Sequence, residues 1–316
     1  MNDSTGPAAD TETGARPNSL HPANTRPASL PRGGLRSLVF NLFFYGYTFY
    51  IAFRAYLLAR FSTRERMLPV LRRWGETVLR AVDIILGAKA EIRGLENIPK
   101  DRPVLLVSKH QSELDVVFLA ALFPHTGAVA MQELERYPFF GTILGKLHLV
   151  LVAVDSGPQN RTEQTVEGTR ATFEQGRPMI IYPEGELMSL GAKGRYRRGV
   201  GHIYTRLDPV VVPVVTSAGV IWPRREWNKT AQASAAIEFL PPIEPGLDFD
   251  TFMARIEETI ETGTMRLIRE HAPADILAEA EARRRAIAAE AANEAANEAA
   301  NGAGEAAKTG KTGTAT

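Results

Sequence analysis

The sequence predicts an α/β domain over residues 87–272, and two observations support that prediction. Short apolar runs of the length of buried strands recur along this region, and residues with helical spacing separate several of them. The runs are VLLV (104–107), AVAM (128–131), LVLVAV (149–154), MIIY (179–182), VVVPVV (210–215) and AAIEFL (235–240). An amphipathic helix is predicted at 162–175, where Gly176 would end it.

The chain after this region becomes polar. A last helix of the domain is predicted after Asp248, and its apolar face contains Phe252, Ile256, Ile260 and Leu267. Beyond Pro273 the repeat EAANEAANEAAN (290–301) has no apolar side chain larger than alanine. We therefore expect a polar Ala/Glu-rich helix and a disordered tail over 273–316. Residues 1–34 are rich in Pro, Gly, Ala, Ser and Thr, which predicts a disordered N-terminal tail.

The most membrane-like segment is LVFNLFFYGYTFYIAF (38–53), which carries no formal charge. A helix from about 37 to 59 would be barely long enough to span a bilayer. Asn41 and Arg54 count against a crossing, whereas the many aromatic residues suit the headgroup layer. A buried helix of a soluble protein is the alternative.

A second helix with one apolar stripe follows this segment. The stripe contains Met67, Leu71, Trp74, Val78, Val82 and Ile85, the other face is rich in arginine, and Pro69 is expected to kink or delay the helix. We interpret residues 35–86 as a membrane-associating pair of helices. The arginines favour the anionic cytoplasmic face of the inner membrane.

Composition excludes several classes of function. The chain has no cysteine, so disulfides, thiolate nucleophiles and sulfur-bound zinc are absent. The formal net charge of +1 predicts no nucleic-acid partner. His125, His148 and His202 show no metal-ligand spacing and are interpreted as structural. Motifs typical of serine hydrolases, P-loop proteins and dinucleotide-binding domains do not occur.

The stretch SKHQSELDVVF (108–118) places His110 five residues before Asp115 at a predicted strand-to-helix junction. Residues five apart diverge by about 140° within a helix, so this pair must straddle the helix start. Asp115 could then orient the imidazole of a general base. It could equally form a capping box with Ser112. Spacing alone leaves both hypotheses open.

Four stretches in this order resemble sequence blocks of the glycerolipid acyltransferase family, which includes 1-acylglycerol-3-phosphate (lysophosphatidate) acyltransferases. The first is the His-x-x-x-x-Asp pair, and the second is QELERYPFFG (132–141), with Glu133, Leu134, Pro138 and Gly141 in place. The third is YPEG (182–185), and the fourth is VVPVV (211–215). GVIWPRREW and EFLPPIEPGLDFDTF also resemble bacterial members.

The resemblance implies a mixed sheet flanked by helices and a direct acyl transfer. His110, oriented by Asp115, would take a proton from the hydroxyl of a lysophospholipid, whose oxygen attacks the thioester of acyl-CoA or acyl carrier protein. Glu184 and Gly185 would lie in the acceptor site. Because a thioester is already activated, no metal or redox cofactor is expected. The implied product is phosphatidic acid, within membrane phospholipid synthesis.

The sequence departs from the family where the acceptor phosphate would bind. Family members usually have Thr-Arg after Glu-Gly, but Glu186 and Leu187 stand here, and Gln132 replaces a common lysine. Replacement charge could come from the loop AKGRYRRG, through Lys193, Arg195, Arg197 and Arg198. Alternatively, this loop is a solvated or lipid-facing patch. The departure leaves two other functions open: acylation of a different lyso-acceptor, such as a lyso-aminolipid, and an inactive lipid-binding relative.

Overall fold

The computed structural model describes residues 34–137, 139–153 and 157–309, in which seven strands form one mixed sheet with helices on both faces. The strands are β1 (Lys89–Arg93), β2 (Val104–Ser108), β3 (Gly127–Met131), β4 (Val150–Val152), β5 (Met179–Ile181), β6 (Val210–Thr216) and β7 (Ser234–Phe239). Their order is β1-β7-β6-β2-β5-β3-β4. The five strands from β6 to β4 are parallel, whereas β7 is antiparallel to β6 and parallel to β1.

Eight α-helices accompany the sheet in the described ranges. They are α1 (Gly34–Phe61), α2 (Arg64–Ala81), α3 (Glu113–Leu122), α4 (Phe140–Leu147), α5 (Pro158–Glu174), α6 (Gly199–Leu207), α7 (Phe249–His271) and α8 (Ala274–Thr309). A π-helical turn, Val82–Leu86, continues α2.

Strand β2 shows how the sequence builds three layers. Val104 and Leu106 belong to the apolar core shared with α1, α2 and α3, while Leu105 and Val107 belong to the core shared with α5, α6 and α7. Alternate side chains of a strand point to opposite faces, so a strand covered on both faces must be apolar throughout. The chain becomes polar only where β2 ends, at Ser108, and there the candidate site begins.

The six strands predicted from apolar runs are confirmed, although residue 154 of the third run lies outside the described residues. Strand β1 is an addition. No residue of KAEIR is fully buried, and its charged residues alternate with Ala90 and Ile92, so it carries no apolar run. Gly176 follows α5 with a φ of 65°, as expected for a glycine that ends a helix. The predicted apolar face of α7 is buried.

The two N-terminal helices exist, but their apolar faces differ in environment. Met67, Val78 and Val82 are buried in the protein, the other three stripe residues are half-buried, and α2 packs mainly on α3. The helix begins at Arg64, so Pro69 does not delay it. Helix α1 is the candidate membrane span by length and hydropathy among the described residues. Its exposed apolar residues are Leu35, Leu38, Val39, Leu42, Tyr45, Phe49, Tyr50, Phe53, Leu57 and Phe61.

The C-terminal region differs from the expectation of disorder. Helix α8 continues through the repeat 290–301 to Thr309, in keeping with the high helix propensity of alanine and glutamate. Residues 310–316 lie outside the described part of the chain. The predicted N-terminal tail also lies outside it, except for Gly34, which is the first residue of α1.

The crossing of α2 and α3 generates a stability prediction. A Cβ placed on Gly75 would lie 2.6 Å from the backbone nitrogen of Ala121. We expect Gly75→Ala to lower the free energy of unfolding by about 1–3 kcal/mol, because the two backbones would have to separate. Chemical denaturation in detergent measures this change.

Gly145 of α4 provides the control. A Cβ there meets no described atom within 4 Å outside its own helix, so Gly145→Ala should be neutral or stabilising by up to about 1 kcal/mol. Equal stabilities of the two variants would contradict a close crossing of α2 and α3.

Candidate active site

The candidate site lies where three adjacent strands end. His110 follows β2, Glu184 follows β5, and Thr216 is the last residue of β6. These strands are parallel and β2 lies between the other two, so their carboxyl ends meet at one edge of the sheet. Open α/β sheets commonly bind ligands at this edge.

His110 and Asp115 form a hydrogen-bonded pair at this edge. His110 Nδ1 lies 3.1 Å from Asp115 Oδ2, and the side chains are 17% and 1% exposed. The imidazole stacks on the ring of Tyr182, with 4.0 Å between the ring centroids. An ionised carboxylate can only accept, so in the neutral imidazole this contact favours a hydrogen on Nδ1 and a lone pair on Nε2. The pair therefore has the arrangement of a general base.

The same carboxylate also caps helix α3. Asp115 Oδ2 accepts hydrogen bonds from the backbone nitrogens of Gln111 and Ser112, at 2.8 and 2.9 Å. The Ser112 hydroxyl in turn accepts from the backbone nitrogen of Leu114 at 3.1 Å. The capping box and the histidine pair are thus compatible, because Oδ2 faces both the helix start and the imidazole.

Thr216 supports the carboxylate from β6. Its hydroxyl lies 3.2 Å from Asp115 Oδ1, to which it can donate, and it accepts from the backbone nitrogen of Ala218 at 3.0 Å. Sequence reasoning did not select Thr216. The feature of the sequence that could have identified Thr216 is its position as a polar residue directly after the apolar run VVVPVV.

A buried cluster of charges lies next to His110 and was also missed. Lys109 Nζ lies 2.6 Å from a carboxylate oxygen of Glu184 and 2.6 Å from one of Glu261, and donates to the carbonyl of Ala192 at 3.0 Å. Arg284 of α8 forms an ion pair with Glu261. The cluster ties the end of β2 to the loop after β5 and to helices α7 and α8.

The two carboxyl groups of this cluster differ in their electrostatics. Burial raises the pKa of Glu184, although Lys109 acts in the opposite direction. Burial would also raise the pKa of Glu261, but Lys109 and Arg284 outweigh it and this pKa is lowered. Glu184 is predicted to lie in the acceptor site. Its Oε1 atom anchors the loop after β5 by accepting hydrogen bonds from Lys109 Nζ and the backbone nitrogen of Gly194. Its Oε2 atom is buried and has no hydrogen-bond partner among the described residues.

The predicted basic residues lie in different places. Gly185 has a φ of 71°, and a Cβ there would overlap the guanidinium of Arg197, so Arg197 lies directly against the predicted acceptor segment. The guanidinium of Arg198 instead lies 4.4 Å from the ring centroid of Phe249 on α7, and Arg195 is exposed. The structure therefore brings one of the three predicted arginines to Gly185.

The second sequence block forms a different part of the surface. Gln132–Arg136 make an exposed 3₁₀ turn after β3, and Gly141 lies in the first turn of α4. Pro138 lies outside the described residues. In the described ranges, no group of three His, Cys, Asp or Glu residues is arranged to hold a metal ion. The expectation of cofactor-free chemistry stays a prediction.

Comparison with known proteins points to one family. Residues 89–217 match the model of the family described as Acyltransferase. A 1-acyl-sn-glycerol-3-phosphate acyltransferase of Pseudomonas aeruginosa is 32% identical over 167 residues, which cover 52% of this chain and 64% of that protein. A protein of the same name from Limnanthes alba is 26% identical over 161 residues, covering 50% and 56%. The matches thus span less than two thirds of the length of these relatives.

A solved structure confirms the predicted fold class. The crystal structure of the 1-acyl-sn-glycerophosphate (LPA) acyltransferase PlsC from Thermotoga maritima matches with a TM-score of 0.57 and 22% identity. The match covers 74% of this chain and 96% of that one. At this identity the similarity is evidence for the fold alone.

Asp115→Asn separates the two uses of the carboxylate. Asparagine keeps a side-chain oxygen that can accept from the backbone nitrogens of Gln111 and Ser112, so we expect little loss of stability. The imidazolium loses its counter-charge, so any reaction that uses His110 as a base should slow by about 10²- to 10⁴-fold. Asp248, which caps α7 through Asp250 and Thr251, supplies the control Asp248→Asn, with activity and stability retained. Unchanged turnover in Asp115→Asn would leave only the capping function.

Lys109→Met tests the buried charge cluster. The substitution leaves Glu184 and Glu261 without their shared cation, and we expect it to lower the free energy of unfolding by about 3–5 kcal/mol. The matched control is Lys193→Met, in the same loop region, where a partly exposed pair with Glu257 contributes at most about 1 kcal/mol. Urea titration of both variants is the measurement. Equal midpoints would show that Lys109 does not stabilise the fold.

Proposed function

We propose that this protein, in which residues 89–217 match the model of the family described as Acyltransferase, transfers a fatty acyl chain from a thioester to 1-acylglycerol-3-phosphate. The acceptor is its free hydroxyl, and the product is phosphatidic acid. The observation that carries the proposal is the distance of 3.1 Å between His110 Nδ1 and Asp115 Oδ2, which in the neutral ring favours a lone pair on Nε2 at the carboxyl edge of the sheet. The names of the relatives support this choice of acceptor.

The geometry supports a direct transfer in which His110 is the base. Nε2 takes the hydroxyl proton as the acceptor oxygen attacks the thioester carbonyl, and Asp115 stabilises the imidazolium that forms. Collapse of the tetrahedral intermediate breaks the carbon–sulfur bond. The departing thiolate then takes the proton from Nε2. In this sequence the hydroxyl proton ends on the thiol and a carbon–oxygen bond replaces the carbon–sulfur bond, so no step requires a metal or redox cofactor.

The thioester donor is either acyl-CoA or an acylated acyl carrier protein. A second acceptor class also has support: Leu187 stands where family members usually carry an arginine, and Glu186 precedes it. This change favours testing a lyso-aminolipid beside the phosphate-bearing lipid. Transfer to neither acceptor from either donor would indicate a catalytically inactive lipid-binding protein.

Helix α1 supports membrane attachment at the cytoplasmic face of the inner membrane. One side of the helix packs on the domain along its length, through Phe40, Ile51, Ala55 and Ala59. This contact favours a position along the membrane surface over a crossing, which would carry polar surface of the domain into the bilayer. The exposed apolar side of α1 and the nearby arginines suit a position in the anionic interface.

His110→Gln tests the catalytic proposal. We expect phosphatidic acid formation to fall by about 10²- to 10⁴-fold with the productive donor, since glutamine cannot take the hydroxyl proton at neutral pH. His202 of α6, whose ring contacts Phe249 of α7, supplies the control His202→Gln, which should retain activity. Product formation is measured from labelled acyl donor in detergent. Wild-type turnover in His110→Gln would refute the mechanism.

The membrane proposal predicts a loss of vesicle binding when α1 is charged. Phe49→Glu combined with Phe53→Glu should weaken binding to phosphatidylglycerol vesicles by more than about tenfold, because two apolar rings leave the interface. Ala254→Glu with Thr262→Glu on exposed positions of α7 adds the same charge and should have a smaller effect. Equal binding of the two double variants in co-sedimentation would contradict the placement of α1.

A further inference from the structure

Arg224 lies in the loop between β6 and β7, beside the two segments that flank His110. One of its Nη atoms donates to Glu186 at 3.2 Å, and Glu186 directly follows Gly185. Two residues earlier, the carbonyl of Trp222 accepts from the hydroxyl of Ser112 at 2.8 Å. These bonds hold the guanidinium near the edge of the sheet where the candidate base lies.

The pairing of Arg224 is incomplete. Its side chain is 14% exposed, and Nε is buried without a hydrogen-bond partner in the described part of the chain. Burial and then the charge of Arg225 lower the pKa of Arg224, although Glu186 and Glu113 act in the opposite direction. The neighbouring carboxylates thus compensate its charge only in part. An additional anion would stabilise the guanidinium.

Other polar groups around His110 also lack partners among the described residues. Both side-chain polar atoms of Gln111 are buried and unpartnered, and so is one carboxylate oxygen of Glu113. Nearly all buried polar atoms in folded proteins have hydrogen-bond partners. The exceptions at Gln111 and Glu113 therefore show that polar groups beside the candidate base are incompletely paired within the described residues.

We propose that Arg224 binds the phosphate of the lyso-acceptor and that Glu186 holds the guanidinium in position for it. The proposal rests on the proposed function and names the residue that recognises the headgroup. A guanidinium bound to one carboxylate oxygen through a single Nη atom still has further Nη hydrogens, which can be donated to a phosphate oxygen. The cation is supplied by the loop after β6, whereas Leu187 carries none.

Binding without an acyl donor tests Arg224 independently of turnover. Wild type, Arg224→Gln and Arg224→Lys are titrated with 1-acylglycerol-3-phosphate and with monoacylglycerol of the same chain length. We expect Arg224→Gln to weaken phosphate-lipid binding by about 10- to 100-fold, as for loss of a hydrogen bond between charged groups. Monoacylglycerol binding should not change. Arg224→Lys should fall between wild type and Arg224→Gln.

The neighbouring Arg225 provides the matched control. It is exposed in the same loop, so Arg225→Gln removes the same charge; it should weaken phosphate-lipid binding far less than Arg224→Gln and leave monoacylglycerol binding unchanged. Equal affinity of wild type and Arg224→Gln for the phosphate lipid would overturn the proposal. So would an equal loss for both ligands in both Arg224 variants, because Arg224 would then support only the loop.

Turnover separates this proposal from the proposed function. If phosphate-lipid binding depends on Arg224 but no donor gives product, the assignment of Arg224 stands and the proposed function fails. If product forms and Arg224→Gln leaves the Michaelis constant of the acceptor unchanged, the proposed function stands and Arg224 is not the recognition residue.

Discussion

The site and the local fold around it depend on the hydrogen bonds made by the buried carboxylate of Asp115. It is almost fully buried and accepts from two backbone nitrogens before α3, while Nδ1 of His110 and the hydroxyl of Thr216 lie within hydrogen-bond distance of it. A buried charge is tolerated only when it is hydrogen-bonded in this way. The hydrogen bonds of this carboxylate therefore hold three segments next to one another: the loop after β2, the start of α3 and the end of β6. The orientation of the imidazole follows from the same set of bonds.

A second constraint lies on the other side of His110. Lys109 is buried between Glu184 and Glu261, and Arg284 of α8 completes the charge balance. Removing one member of such a cluster leaves an uncompensated charge, so the parts it joins must fold together. Helices α7 and α8 lie outside residues 89–217, which match the family, yet they hold the loop that contains Glu184. The C-terminal helix is therefore part of the support of the site.

The sequence predicted the features that depend on local pattern. The six continuous apolar runs are all strands, whereas β1 has charged residues alternating with apolar ones and left no such run. The pair of His110 and Asp115 was visible because the two residues lie in one stretch of chain. The partners of Lys109 lie 75 and 152 residues away, so no spacing revealed them. The stripe of α2 has the same pattern whether it faces lipid or protein, and only tertiary packing decides between them.

Measuring the tautomer of His110 is the most direct test of the claim that Asp115 orients this histidine as a general base. Selective ¹⁵N labelling of the six histidines, with a His110→Gln spectrum to assign the signal, reports which ring nitrogen carries the hydrogen. The account predicts a protonated Nδ1 and an unprotonated Nε2 in the neutral ring, because Nδ1 faces the Asp115 carboxylate. A neutral ring protonated at Nε2 would contradict it, since His110 would then have no lone pair directed at the acceptor hydroxyl.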